Sequence, residues 1–199
     1  GINIHLEAPA PLHRLLSDRL GLTITDRILD ASIYDFQVPL LSTPALFLAA
    51  SGSPVFVPGN YPYLGIEDHH AAVDQRADQK NPRARPAIGI ACSGNPVHVN
   101  DAQRSIALEA FLPLTEIADI YLLQPDLRAS DQHCIDRHPH RFRRFGAIHD
   151  FLDTAACIAR MDYVVSVDTA IAHLAGAMAK PLFLLLPTNP DWRWGASGE

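Results

Sequence analysis

The chain has 199 residues, 48% of them hydrophobic and 19% charged, with a formal net charge of -6 when histidines are neutral. It can bury a full core as one large domain or one and a half small ones, but it is too acidic for general nucleic-acid affinity, and no apolar run approaches the roughly 20 residues of a membrane-spanning helix. Three widely spaced cysteines, Cys92, Cys134 and Cys157, make neither a disulfide framework nor a C-x-x-C metal pair, and no basic-then-apolar leader opens the chain, so a cytoplasmic location is expected.

In chain order, INIHL at residues 2–6 predicts a strand, and Pro11 opens a helix to about Leu20 with Leu12, Leu15, Leu16 and Arg19 at helical spacing. A short strand is expected over Ile33 to Val38. PLLSTPALFLAA, from Pro39, reads as a turn and then an apolar helix capped near Ser42 or Thr43. The stretch from Ser51 to Gly65 carries too much proline and glycine for regular structure, Asp68 to Asp78 reads as a polar helix, and KNPRARP at residues 80–86 is the best linker candidate. The expected division is therefore a partial N-terminal α/β domain with its linker over residues 1–84, and a C-terminal domain over residues 85–199.

The second half alternates strands and helices: a strand at Ala87 to Ala91, a long loop from Cys92 to Ser105, a helix at Leu108 to Ala118, and a strand at Ile120 to Leu123. A variable polar stretch to about Gly146 precedes a helix at His149 to Met161. Tyr163 to Val167 and Pro181 to Leu186 are apolar runs suited to strands buried on both faces, and Ala170 to Ala179 between them is rich in helix formers and stopped by Pro181. This is a β-α-β unit in a doubly wound parallel sheet, joined by a right-handed crossover.

Two loops carry chemical content. In the helix from Ala170, Ile171, Leu174, Ala175 and Met178 share the face that packs on the sheet, while Thr169, Ala172, His173 and Gly176 lie opposite, leaving a groove beside one imidazole. Asp168 and Thr169 stand where N-cap residues belong, at the carboxyl end of a parallel strand, where unpaired N–H groups and the helix dipole favour an anion such as phosphate. The blander alternative is that Asp168 only caps the helix and His173 only faces solvent. The other loop is ACSGNPVHVNDAQRSIALEAF from Ala91: Ser93, Gly94 and Asn95 can bring amides and short donors to an anion, and Arg104 with Ser105 adds a guanidinium and a hydroxyl. Alone, that loop is an ordinary turn. Jointly, the two describe a cleft for a diphosphate-bearing ligand.

Other features weigh less. HCIDRHPH, from His133 to His140, lacks tetrahedral zinc spacing, so no metal site is expected. Arg137, Arg141, Arg143 and Arg144 form a basic patch that reads as a solvated surface or as a contact for an acidic acceptor or lipid headgroups. Trp192 and Trp194 either stack on a base or sugar or cover the domain edge.

SGNPVHVND followed by RSIALEAF, then FLDTAACIARMDYVVSVDTAIAHLAGAMAKPLFLLLPTNPDWRW, resembles the C-terminal, donor-binding domain of the heptosyltransferase-like glycosyltransferases of family 9, most of all the bacterial members that carry tetratricopeptide repeats. The resemblance spans about Pro86 to Trp194, and YDFQVPLLSTP at residues 34–44 resembles the end of that family's N-terminal domain. It implies a GT-B architecture of two Rossmann-like domains, with a nucleotide sugar in the C-terminal one, no cofactor and no metal. Carried over by position, Asp168, Thr169, Ala170 and His173 would hold the donor's diphosphate and sugar, Arg104 and Ser105 match a phosphate-binding position, and Ser93, Gly94 and Asn95 match the loop lining the same pocket. Asp153 and Thr154 fall to packing or the pocket rim.

Cys92 stands where the family usually has Trp, and the family's first glycine-containing loop and acidic base have no counterpart here. A fragment is therefore expected that binds donor with no catalytic residue of its own. The implied reaction is an inverting, metal-independent transfer of a sugar to a glycan, lipid or protein acceptor, with peripheral membrane contact among the options. A catalytically silent nucleotide-binding module and a sugar-nucleotide epimerase are the alternatives.

Overall fold

The computed structural model describes residues 3–28, 30–52, 62–65, 85–191 and Trp194. The expected polar helix at 68–78, most of the linker at 80–86 and Trp192 lie outside the described residues. The central feature is a five-stranded, wholly parallel sheet. Its strands are β3 (Ala87–Ala91), β4 (Asp119–Leu122), β5 (Phe142–Arg144), β6 (Tyr163–Val167) and β7 (Leu182–Leu185), in the order β5-β4-β3-β6-β7. Chain order thus runs outward from β3 to one edge, returns to β6 beside β3, and runs out to the other edge. That reversal is a topological switch point, where the loops after β3 and β6 diverge to opposite faces and leave a crevice.

Helices pack on both faces, as expected for a parallel sheet, but β7 is an edge strand and is not buried on both faces as its apolar run predicts: Phe183 is 59% exposed, beside the exposed Tyr163 of β6. On one, α5 (Phe151–Ala159) and α6 (Ala170–Ala177) bury Leu152, Ala155, Ile158, Ile171 and Leu174 against Val164 and Ala87. On the other, α4 (Ala129–Arg137) and the 3-10 segment Leu108–Glu116 bury Cys134, Leu108 and Phe111 against Ile90, Ile120, Leu122 and Phe142. Ile90, Leu108, Ile120, Ile158 and Val164 are wholly buried, each contributing roughly 1.5–3 kcal/mol of transfer free energy. The α/β fold class read from the sequence is the fold observed.

Two shorter strands, β1 (His5–Glu7) and β2 (Thr23–Thr25), pair in parallel ahead of this sheet, joined through α1 (His13–Leu20). Gly21, at φ 61°, ends α1 in the left-handed conformation that costs glycine least. Helix α1 docks onto α5: Leu15, 2% exposed, joins the core beneath α5, and Arg14 reaches Asp150 at 3.0 Å and also bonds Asp153. The N–H groups of Tyr63 and Leu64 both donate to the Ala177 carbonyl at 3.1 Å, so this segment lies against the end of α6. The expected apolar helix is present as α2 (Thr43–Ser51), preceded by a 3-10 turn at Leu40–Ser42.

Several expectations need correction. The first strand spans His5–Glu7 and leaves Asn3 and Ile4 outside it. No strand forms over Ile33 to Val38; Asp30 caps a 3-10 turn at Ala31–Ile33 through the Ser32 N–H at 2.9 Å, and Ile33 and Phe36 stay exposed. The partner of β1 is Thr23–Thr25 instead, too short to show an alternating pattern. Leu108–Glu116 is a 3-10 helix, not an α-helix, because Pro113 has no N–H and its ring obstructs the wider turn. The polar stretch before Gly146 contains α4 and β5. Helix α4 buries only Asp131 and Cys134, and β5 is a three-residue edge strand, so neither had an apolar period to reveal it.

Candidate functional site

The loops after β3 and β6 are neighbours because their strands are: Ala91, the last residue of β3, pairs with Ser166 of β6. Each next turns out of the sheet at its carboxyl edge, one into Cys92, Ser93 and Gly94, the other into Asp168 and Thr169. Arg104 then ties them. It sits in α3 (Asp101–Arg104), and its Nη1 donates to the Asp168 carbonyl at 3.0 Å. The guanidinium lies flat on Gly94, where a β-carbon would come within 2.5 Å of Nη2 and 2.8 Å of Cζ. Gly94 is thus required for the close approach of an arginine. The Arg104 side chain is 13% exposed, and its Nε is buried with no hydrogen-bond partner among the described residues.

A second layer braces the first loop. The Gln124 amide oxygen accepts from the Cys92 N–H at 2.8 Å and the Ser93 N–H at 3.3 Å, and its Nε2 donates to Ser93 Oγ at 3.0 Å. Ser105 Oγ donates to Asp101 at 2.8 Å and accepts from Arg128 at 3.0 Å and, at 3.4 Å, from the Gly94 N–H. Arg128 Nη2 also donates to Asp101 at 2.6 Å. Burial raises the Asp101 carboxyl's pKa, but the Ser105 hydroxyl and Arg128 outweigh it and hold the pKa below the usual carboxylate value. Asp131 accepts from the Leu108 N–H at 3.3 Å. Cys92 is wholly buried and its thiol pushed up to about 11, first by burial and then by Asp131, so it is a neutral packing group.

In the second loop, Thr169 is the N-cap of α6 but its side chain makes no cap bond; Thr169 Oγ1 instead lies 3.1 Å from Ser166 Oγ. The expectation that Asp168 caps the helix is not met either: its carboxylate stands 4.0 Å from His173 Nε2 one turn along. The first-turn N–H groups at Ala170 and Ile171 are therefore left without a side-chain cap, at the positive end of the helix dipole. Ala170 and His173 are exposed, while Ala172, expected on the groove side, is 1% exposed and belongs to the core. The imidazole of His173 stacks on Trp194, ring centroids 4.6 Å apart and 14° from parallel.

The structure thus brings Gly94, Arg104, Asp168, Thr169 and His173 to one rim. Ser93 and Ser105 sit behind it as braces, and Asn95 is exposed at the outer turn, its Oδ1 accepting from the Val97 N–H at 3.0 Å. Gln124, Arg128 and Asp101 were missed in the sequence, although a glutamine two residues past an apolar strand falls at the carboxyl edge by position alone. Beside them, the ends of β4 and β5 enclose a cavity of about 270 Å³ walled by Leu122, Gln124, Arg144, Phe145 and Ile148.

The expected basic patch is largely ion-paired: Arg137 with Glu109 at 3.0 Å, Arg141 with Glu116 at 2.6 Å, and Arg143 with Asp119 at 3.2 Å. Asp153 pairs with Arg14 and accepts from the His149 N–H at 2.9 Å, which is a packing role. Among the described residues no group of His, Cys, Asp or Glu could hold a metal ion, and no helix is long and apolar enough to cross a membrane.

Residues 147–197 match the family model of glycosyltransferase family 9 (heptosyltransferase). Among solved structures, the chain is similar to E. coli heptosyltransferase WaaC with ADP, at 19% identity over 53% of this chain and 35% of that one, with a TM-score of 0.39. It is similar also to E. coli heptosyltransferase WaaC with ADP-2-deoxy-2-fluoro heptose, at 19% identity over 80% of this chain and 48% of that one, with a TM-score of 0.45. The chain spans less than half the length of either, and no curated protein sequence matches it. Residues 147–197, which hold α5, β6, α6, β7 and the Asp168 to His173 motif, carry the pattern of glycosyltransferase family 9.

Proposed function

We propose that this chain binds the nucleoside-diphosphate sugar donor of an inverting, metal-independent glycosyl transfer, with the diphosphate over the crevice between β3 and β6. The observation that carries the reading is the bridge by which Arg104, seated on Gly94, joins the first loop to the Asp168 carbonyl at the start of α6. A guanidinium and uncapped helix N–H groups are then neighbours at one rim, and both favour an anion. His173 would donate to the same phosphates or to the sugar. The base would occupy the cavity between β4 and β5, where Phe145 and Ile148 offer apolar surface and Gln124, Asp126 and Arg144 offer polar groups.

During transfer, the acceptor hydroxyl attacks the anomeric carbon as the bond to the diphosphate breaks. Negative charge then builds on the departing diphosphate oxygen, where Arg104 and the N–H groups at Ala170 and Ile171 would meet it already oriented. These groups stabilise a leaving group and do not remove a proton from an acceptor. The acceptor, a glycan, lipid or protein, would approach from the sugar side of His173, and its deprotonation would fall to a carboxylate opposite.

Titration calorimetry with ADP, GDP and UDP tests the reading. One-to-one binding of at least one nucleotide, weakened about tenfold or more by Arg104→Ala, is expected from loss of a charge-assisted contact. Binding indifferent to that change would refute it.

A further inference from the structure

The stack of Trp194 on His173 plays no part in the anion cradle described above, and it constrains the residue that the donor-site reading sets beside the phosphates or the sugar. With centroids 4.6 Å apart and planes 14° from parallel, the indole stacks on one face of the imidazole. His173 projects from the exposed side of α6, with 44% of its side chain open to solvent. The stack restrains how its ring turns about the last torsion. With one face covered, the ring presents its edge, and Nε2 lies 4.0 Å from the Asp168 carboxylate at the mouth of the crevice. The Trp194 N–H donates to the Asp191 carbonyl at 3.0 Å. Its indole Nε1 is buried with no hydrogen-bond partner among the described residues, so the ring's face, not its polar edge, is what the site uses.

We propose that Trp194 is a positioning residue for the donor site: it acts through His173, holding the imidazole edge-on to the diphosphate and sugar and leaving one face of the ring closed to ligand. This rests on the donor-site reading above. It assigns the segment after β7 a part in binding although it lies outside both motif loops.

The test is a double-mutant cycle on ADP affinity with a ligand-free control. Trp194→Leu keeps apolar bulk but cannot stack, and should weaken ADP about three- to tenfold, the range that aromatic pairing spans. Trp194→Phe should bind within about twofold of the unaltered chain, since a smaller ring still stacks. In a His173→Ala background, Trp194→Leu should have no further effect, because the ring it positions is gone. In the ligand-free protein, the His173 ring protons should be shifted upfield by the indole in the NMR spectrum and return toward ordinary values in Trp194→Leu.

An equal loss from Trp194→Leu with and without His173 would overturn the proposal, as would unchanged affinity in Trp194→Leu or His173 signals indifferent to it. If the unaltered chain binds none of ADP, GDP, UDP and pyrophosphate, the donor-site reading falls and this role falls with it. If it binds them and the cycle is additive, only the role of Trp194 is lost.

Discussion

Replacing Gly94 with alanine separates the site from the fold. The added β-carbon would lie 2.5 Å from Arg104 Nη2, 2.8 Å from Cζ and 3.0 Å from Nε, all inside contact distance. The atoms it meets are the far end of a side chain, so the backbone can stay and the guanidinium must lift. Lifting breaks the 3.0 Å bond from Nη1 to the Asp168 carbonyl, a charged hydrogen bond in a site where Arg104 is 13% exposed. Such bonds contribute about 1.5–3 kcal/mol when partly buried. Stability should therefore fall by no more than about that amount, while diphosphate affinity falls about tenfold or more, because the charge has left the rim it shares with the helix N–H groups. Calorimetric titration with ADP beside a urea melt reads both quantities. A Gly94→Ala protein that binds as tightly as the unaltered chain would show that Arg104 does not face the ligand, and the reasoning would fail there.

Other consequences follow from the packing. Leu15→Ala, at a position 2% exposed beneath α5, should cost about 2–4 kcal/mol in urea denaturation, and a loss below about 1 kcal/mol would mean α1 is not docked as described. The Asp101 carboxyl is depressed in the folded state, so its stabilising effect is complete above the unfolded value near pH 4 and is lost as pH falls through the lower folded value. Asp101→Asn should accordingly flatten the loss of stability as pH falls below about 4 while lowering stability at neutral pH. Burial pushes the Cys157 thiol up to about 12 and that of Cys92 to about 11, and raises Cys134 as well, so iodoacetamide at pH 8 should label none of the three until the chain unfolds.

The strongest signals in the sequence were those with a period or a hard stop. Ala87–Ala91 and Tyr163–Val167 are strands at the expected residues because each is a short, mainly apolar run, the first opening after Pro86 and the second set between Asp162 and Asp168, and α6 follows from small helix formers ended before Pro181. Placing both loops at the carboxyl edge of one sheet needed only parallel strands. That they are adjacent needed the strand order, which no residue encodes locally, since β3 and β6 are separated by more than seventy residues of chain. The bracing groups were hidden for a related reason. Gln124, Arg128 and Asp101 look like ordinary surface polar residues until packing closes over them, and Asp101 ends 7% exposed between Ser105 and Arg128. Ala172 misled because a wheel treats one face of a helix as open, whereas α6 is held between the sheet and α5 and buries small residues around most of its surface.

The central claim is a location: an anion held where the loops after β3 and β6 meet. Titrating isotopically labelled chain with ADP and following backbone amide signals tests it most directly. The account predicts saturable shifts concentrated at Ser93 to Asn95 and at Thr169 to Ile171, with the amino edge of the sheet, around Arg85 and Arg143, unmoved. Shifts centred on that opposite edge, or none at millimolar ADP, would contradict it.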